Sequence, residues 1–212
     1  MSGEQNSRPP SETSCGNFHV EEEGSYPYSI LNSPEQGNYL VASRDVAAGE
    51  VLFRVDPLVV GPNQDGSPIC LACLCPVDCT FLCPRCRYPM CDQQCADDPN
   101  HKEECSILAQ GTSYNFFEGE VQEDAYHAIL PLRMLLLLAK GGPEVKMVEG
   151  MVDHMEQRRG GEYWRVAEEQ VVDRLREGCG QEQWGREEVQ GVVGRLELNC
   201  YEVHSYVTAG IR

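Results

Sequence analysis

Positive charge is scarce in this chain. Its 212 residues carry 17 Lys and Arg against 34 Asp and Glu, a formal net charge of −17. The deficit runs the whole length: three basic against ten acidic groups in residues 1–69, three against six in 70–105, and eleven against eighteen in 106–212. Phosphate backbones are gripped by clustered Lys and Arg, so the composition argues against nucleic acid as a partner. Long apolar runs are missing as well. The longest, "AILPLRMLLLLA", is interrupted by Pro131 and Arg133 and is too short to cross a bilayer. The N-terminus, "MSGEQNSRPPSETSCGNFHVEEEG", is acidic and has no apolar core of the kind an export signal needs. The expectation is a protein without a membrane partner, cytoplasmic and/or nuclear, where thiols stay reduced.

Cysteine, by contrast, is abundant and local. Nine of the twelve cysteines fall between residues 70 and 105. In a reducing compartment such clustering points to metal rather than to cross-links. A redox reading of the C-x-x-C pairs fails, because no βαβ pattern surrounds them. The spacing is that of ligands: Cys70-x-x-Cys73, Cys83-x-x-Cys86, Cys91-x-x-x-Cys95 and His101-x-x-x-Cys105. Seven thiols and one imidazole make eight ligands, enough for two four-coordinate Zn²⁺ ions. A two-residue gap suits a tight turn that aims both sulfurs at one ion. A three-residue gap puts both ligands on one face of a helical turn. The first two pairs are therefore expected on knuckles and the last two on short helices. The histidine favours zinc over an iron–sulfur cluster. Cys75 and Cys79 are left over. Either could replace Cys73, but the Cys70–Cys73 gap matches that of Cys83–Cys86, which favours Cys73.

Around this segment the pattern changes twice. Residues 1–25 are polar and read as a disordered tail. From Asn38 to Val60 the chain reads as strands: "NYLVAS", a turn at "RDVAAGE", and a longer strand in "VLFRVDPLVV". After residue 105 it reads as helices: "DAYHAILPLRMLLLLAK" up to Gly141, "KMVEGMVDHMEQRR" with a Met and Val stripe, "EYWRVAEEQVVDRLREG" and "EEVQGVVGRLELNCYEV". No internal repeat stands out.

The four ligand pairs, in this order, resemble a MYND zinc finger over all 36 residues of the segment. In that family the pairs interleave, which implies that Cys70, Cys73, Cys91 and Cys95 hold one zinc and that Cys83, Cys86, His101 and Cys105 hold the other. "GNYLVASRDVAAGEVLFRVDPLVV" before the finger resembles the first SET strands of the SET and MYND domain-containing (SMYD) proteins, notably in "RD-x-x-x-GE-x-L". "LNCYEV" resembles their "CNSF"-type segment, and "PMC", "HKEEC" and "PLRMLLL" look most like the arthropod branch. The resemblance implies an α+β fold: N-terminal β-strands of a SET domain (26–69), an inserted two-zinc MYND finger (70–105), then an all-helical SET insert running into the start of the SET core (106–212).

It also implies lysine methyl transfer from S-adenosylmethionine in a full-length form. The residues matching the family's cofactor loop are Gly37 and Asn38, flanked by Gln36 and Tyr39 where the family has Arg and Gly. Asn199 matches the asparagine of the second motif. The N-H-S-C motif of the catalytic core is not found; the one Asn-His pair is Asn100-His101, inside the finger. No catalytic residue is expected here, and the 212 residues are expected to be inactive alone. The implied role is a protein-interaction module whose partners are proline-containing or basic, histone-like peptides.

Overall fold

The structure is a computed structural model and describes residues 26–35, 37–64, 67–111 and 124–203. The tail expected over 1–25, and Gln36, lie outside the described residues. Two compact units divide at Pro57 and Leu58.

The first unit is organised by a hairpin. Strand β1, Tyr28–Ser33, pairs antiparallel with β2, Gly37–Ala42, in a register that sets Tyr28 opposite Ala42 and Ser33 opposite Gly37. Gly37 has φ +67°, a left-handed turn conformation that glycine adopts without a Cβ penalty. Beyond β2 the "RDVAAGE" segment turns as expected. Glu50 Oε2 accepts from the Ala47 N–H at 3.0 Å, and Oε1 pairs with Arg44 at 2.5 Å. Tyr28 stacks on Tyr26 at 5.5 Å and meets Phe53 edge-on at 6.3 Å.

The strand expected over "VLFRVDPLVV" does not form. Residues 51–57 belong to no strand or helix, and Val51, Phe53 and Val55 stand exposed. Alternation marked the segment as pleated, but a strand exists only when a neighbour takes its N–H and C=O groups. The expected strand content shifts toward the N-terminus, to β1, whose "YSILNS" lacks a clean two-residue period.

The second unit begins at Leu58 and holds the cysteine segment together with the helices. Helix α1 is Gln93–Ala96 and α2 is Pro99–Leu108. Both are capped by aspartate: Asp92 accepts from the Cys95 N–H, and Asp98 from the Asn100 N–H with Pro99 in the first turn. Helix α3 is Ile129–Lys140, α4 Pro143–Glu149 and α5 Met155–Arg158. Helix α6, Glu162–Ala167, continues as a π-helical run over Glu168–Gly178, and α7 is Arg186–Asn199.

Helix α3 starts later than its apolar pattern suggests, after turns at 124–128, and takes Pro131 into its first turn where no N–H is missed. The Met and Val stripe is not one helix. Gly150 ends α4, and His154 sits at φ +48° before α5, leaving Met147 and Val152 exposed while Val148 is buried.

The π run closes with the Cys179 N–H on the Arg174 carbonyl at 2.8 Å, five residues back. It buries Val171, Val172 and Leu175. Arg186, at the start of α7, bridges Glu168, Asp173 and Glu177 of that run. Gln190 of α7, fully buried, donates to the Trp164 carbonyl at 3.0 Å and to Glu168 at 2.7 Å. One apolar cluster joins Leu71, Tyr88 and Met90 of the cysteine segment to Leu132, Leu135, Val172, Leu175 and Val192 of the helices. No helix among the described residues is long and apolar enough to cross a membrane.

Candidate metal centres

The cysteine segment is built from one device used twice. The Leu74 N–H closes a turn on the Cys70 carbonyl at 2.9 Å, and the Arg87 N–H closes the same turn on Cys83 at 3.0 Å. Cys70 N–H then pairs with the Cys75 carbonyl at 2.9 Å, as Cys83 N–H does with Tyr88 at 2.8 Å. Short antiparallel bridges follow in both, Ile69 with Pro76 and Leu82 with Pro89. Leu74 and Arg87 share a positive φ, 57° and 65°.

The second knuckle therefore repeats the first, thirteen positions later, a repeat carried by backbone geometry and by Cys-x-x-Cys-x-x-Pro (70–76, 83–89) rather than by side-chain likeness. Holding two non-glycine residues in the left-handed region costs on the order of 1 kcal/mol each. What the turn gains is a set of backbone N–H groups aimed at sulfur: those of Arg85 and Cys86 reach Cys83, that of Tyr88 reaches Cys86, and that of Cys75 reaches Cys73.

The two remaining ligand pairs come from α1 and α2. Cys95 lies on α1, with Cys91 just ahead of its Asp92 cap; His101 and Cys105 lie one turn apart on α2. Together the elements gather two groups of four: Cys70, Cys73, Cys91 and Cys95, and Cys83, Cys86, His101 and Cys105. Within each group the ligand atoms all lie within 4.8 Å of one another. None of these cysteines is in a disulfide. Neither group includes Cys75 or Cys79. Cys75 holds, in the first knuckle, the place that Tyr88 holds in the second.

The spacing of the donor atoms fits zinc. Bonds of about 2.3 Å to sulfur and about 2.0 Å to nitrogen imply tetrahedral edges of about 3.8 Å between sulfurs and about 3.5 Å between sulfur and nitrogen. In the second group the Cys83 and Cys105 sulfurs are 3.7 Å apart, and His101 Nε2 stands 3.5 Å from Cys83 and 3.6 Å from Cys86. In the first group Cys73 and Cys91 are 3.4 Å apart.

Electrostatics point the same way. Burial works against the Cys83 thiolate, but contact with His101 and the N–H groups of Cys86 and Arg85 outweighs it and brings its pKa down to about 6. Burial pushes the neighbouring Cys86 thiol up instead, and pushes Cys91 up to about 12. Neither the three sulfurs of the buried group nor the four of the other can all ionise side by side without a counter-charge. A divalent cation supplies the missing charge. The two clusters could each hold a zinc ion.

Behind the second group stands a carboxylate. With Nε2 facing the sulfurs, the His101 ring turns Nδ1 to Glu104 Oε1 at 3.2 Å, and both residues are almost fully buried. A ring nitrogen that donates to a carboxylate has its tautomer fixed and its partner nitrogen free for metal.

The residues matched to the cofactor loop lie elsewhere. Gly37 and Asn38 open β2, where Asn38 Oδ1 accepts from Asn32 Nδ2 at 2.8 Å across the hairpin. Asn199 ends α7 in the other unit and donates to the Arg195 carbonyl at 2.7 Å, one turn back. Each therefore has a local structural role.

The chain is similar to two isoforms of the Drosophila melanogaster SET domain-containing protein SmydA-8. Isoform B is 36% identical over 89 residues, covering 38% of this chain and 20% of the relative. Isoform A is 37% identical over 82 residues, covering 37% of this chain and 18% of the relative. Over that stretch the chain resembles these SET domain-containing proteins. The matched stretch is about a fifth of the length of those curated relatives. No family model and no solved structure matches. The two Cys/His clusters support a metal-binding, zinc-type segment in a chain partly similar to SET domain-containing proteins.

Proposed function

We propose that the cysteine segment is a MYND-type finger that docks other proteins, held in shape by two zinc ions. The observation that carries this reading is the double cluster: two metal sites, four ligands each, in a segment whose local apolar content alone would not fix it. Structural zinc contributes about 10–16 kcal/mol of apparent binding energy to finger peptides, enough to hold a rigid docking face.

Charge selects the partner class. The finger has Arg85, Arg87 and Lys102 against six acidic residues, and Asp78, Asp92 and Asp97 are exposed. An acidic field attracts basic segments such as histone-like tails, and stiff proline-containing peptides lose little entropy on docking. Such partners are consistent with a cytoplasmic or nuclear protein. Titration of the zinc-loaded chain with fluorescent proline-rich, basic and scrambled peptides, and with duplex DNA, tests this. Binding of one peptide class that disappears on chelation is expected. Micromolar binding to DNA at low salt, with none to peptide, would reverse the reading.

The similarity to SET domain-containing relatives favours a second reading, an N-terminal part of a protein-lysine methyltransferase. Gly37, Asn38 and Asn199 would then face S-adenosylmethionine once the rest of the SET fold is present. Methyl transfer needs donor and lysine held in line, and the N-H-S-C core motif is not found in these 212 residues. Radiolabelled methyl incorporation by the chain alone, above a zinc-only blank, would favour this reading over the first.

A further inference from the structure

Arg133 on α3 makes four hydrogen bonds, three of them to the finger. Its Nε donates to Glu104 Oε2 at 2.6 Å and its Nη2 to Glu104 Oε1 at 2.7 Å, a two-pronged pair that suits the planar guanidinium. Nη1 donates to the Val60 carbonyl at 2.6 Å and Nη2 also to the Leu71 carbonyl at 2.5 Å. Leu71 lies between Cys70 and Cys73. The same Glu104 faces His101 Nδ1 from the other side.

A carboxylate this buried is costly unless fully paired. Both Glu104 oxygens are paired: Oε2 and Oε1 accept from Arg133, and Oε1 also faces His101 Nδ1, so the carboxylate lies between a guanidinium and an imidazole.

We propose that Arg133 is a positioning residue for the His101 metal centre, acting through Glu104 to fix the Nδ1–H tautomer and aim Nε2 at Cys83, Cys86 and Cys105. The inference rests on the reading that this cluster holds a metal. It adds that a residue outside the finger, 28 positions beyond its last ligand, sets the affinity of one ion and not the other. Its contact with the all-cysteine cluster is through the Leu71 carbonyl, in a turn that the Leu74 N–H also closes on the Cys70 carbonyl. The ion at that cluster should depend little on Arg133.

The test uses the whole chain loaded with ¹¹³Cd²⁺, whose NMR shift separates an all-sulfur site from a three-sulfur, one-nitrogen site. Each signal is followed through a chelator titration in wild type, Arg133→Gln and the isosteric Glu104→Gln. Loss of an outer partner of a ligating histidine weakens metal binding by about 10–100-fold. That loss is expected in both variants at the sulfur–nitrogen site, while the all-sulfur site keeps its wild-type titration. Equal weakening of both sites would reduce Arg133 to a general clamp and overturn the inference. Wild-type behaviour at the sulfur–nitrogen site in both variants would overturn it too. Neither result would touch the metal reading, provided the wild-type chain gives two signals. A wild-type chain giving no sulfur–nitrogen signal overturns both.

Discussion

The Tyr88 hydroxyl joins the second knuckle to the helices: it donates to the Ala125 carbonyl at 2.7 Å and accepts from the Arg174 guanidinium in the π-helical run. Arg174 also donates to the Asp124 carbonyl at 3.1 Å. The phenol is 2% exposed and its ring lies 6.2 Å from that of Tyr126, whose own hydroxyl donates to the Ile69 carbonyl ahead of the first knuckle. Two tyrosines and Arg174 thus fasten both knuckles from the helical side.

Tyr88→Phe keeps the ring and removes the oxygen. It leaves the buried Ala125 carbonyl short of a donor and Arg174 short of an acceptor. A group left unsatisfied in a buried site costs about 1–3 kcal/mol. Denaturant unfolding of the zinc-loaded variant should show a loss in that range with two zinc ions retained. A stability equal to wild type would mean that water takes the place of the hydroxyl.

The shared core predicts how far metal removal reaches. Leu71, Tyr88 and Met90 sit between zinc ligands and also pack in one cluster with Leu132, Val172 and Leu175. When the knuckles lose their ions those side chains lose their fixed positions. Trp184, 7% exposed, reports on the helical side: Arg176 donates to its carbonyl, and it lies just ahead of α7. Pure protein should contain two zinc per chain by elemental analysis. Chelation should move tryptophan emission to the red as the helices loosen. Unchanged emission after loss of both ions would show that the helices hold together without the finger.

These features differ in how readily the sequence shows them. The eight ligands were legible because coordination is local: two- and three-residue gaps can be read without knowing the fold. The knuckles and the helix carrying His101 and Cys105 follow from those gaps. The assignment of the four pairs to two groups is not local, and came from family resemblance rather than from spacing. Glu104 was hidden as one more acidic residue in "HKEEC", and Arg133 as a break in an apolar run. Only the packing of α3 against the finger brings them together. The knuckle repeat was hidden because Leu-Ala and Pro-Arg fill the same turn. At 51–57 the alternation was real, but no strand among the described residues pairs with it. The π run was not foreseeable, since an apolar stripe reads much the same in either helix form.

The repeat settles what to expect of the two surplus cysteines. By position in the turn, Cys75 corresponds to Tyr88, a residue that contributes its carbonyl to the knuckle and no ligand. Cys79 lies on the link between the knuckles, at φ 62°. Neither falls in a four-ligand group. Cys75→Ser and Cys79→Ser should therefore keep two zinc per chain. Cys73→Ser and Cys91→Ser should each remove an ion from the all-cysteine group, and Cys83→Ser or His101→Ala an ion from the other. A serine hydroxyl stays protonated near neutral pH and makes a poor substitute for a thiolate. Zinc release, followed with a colorimetric chelator after dialysis, distinguishes the sets. Should Cys75→Ser shed an equivalent of zinc while Cys73→Ser keeps both, the first site is built on Cys70 and Cys75, and the correspondence between the knuckles does not extend to their ligands.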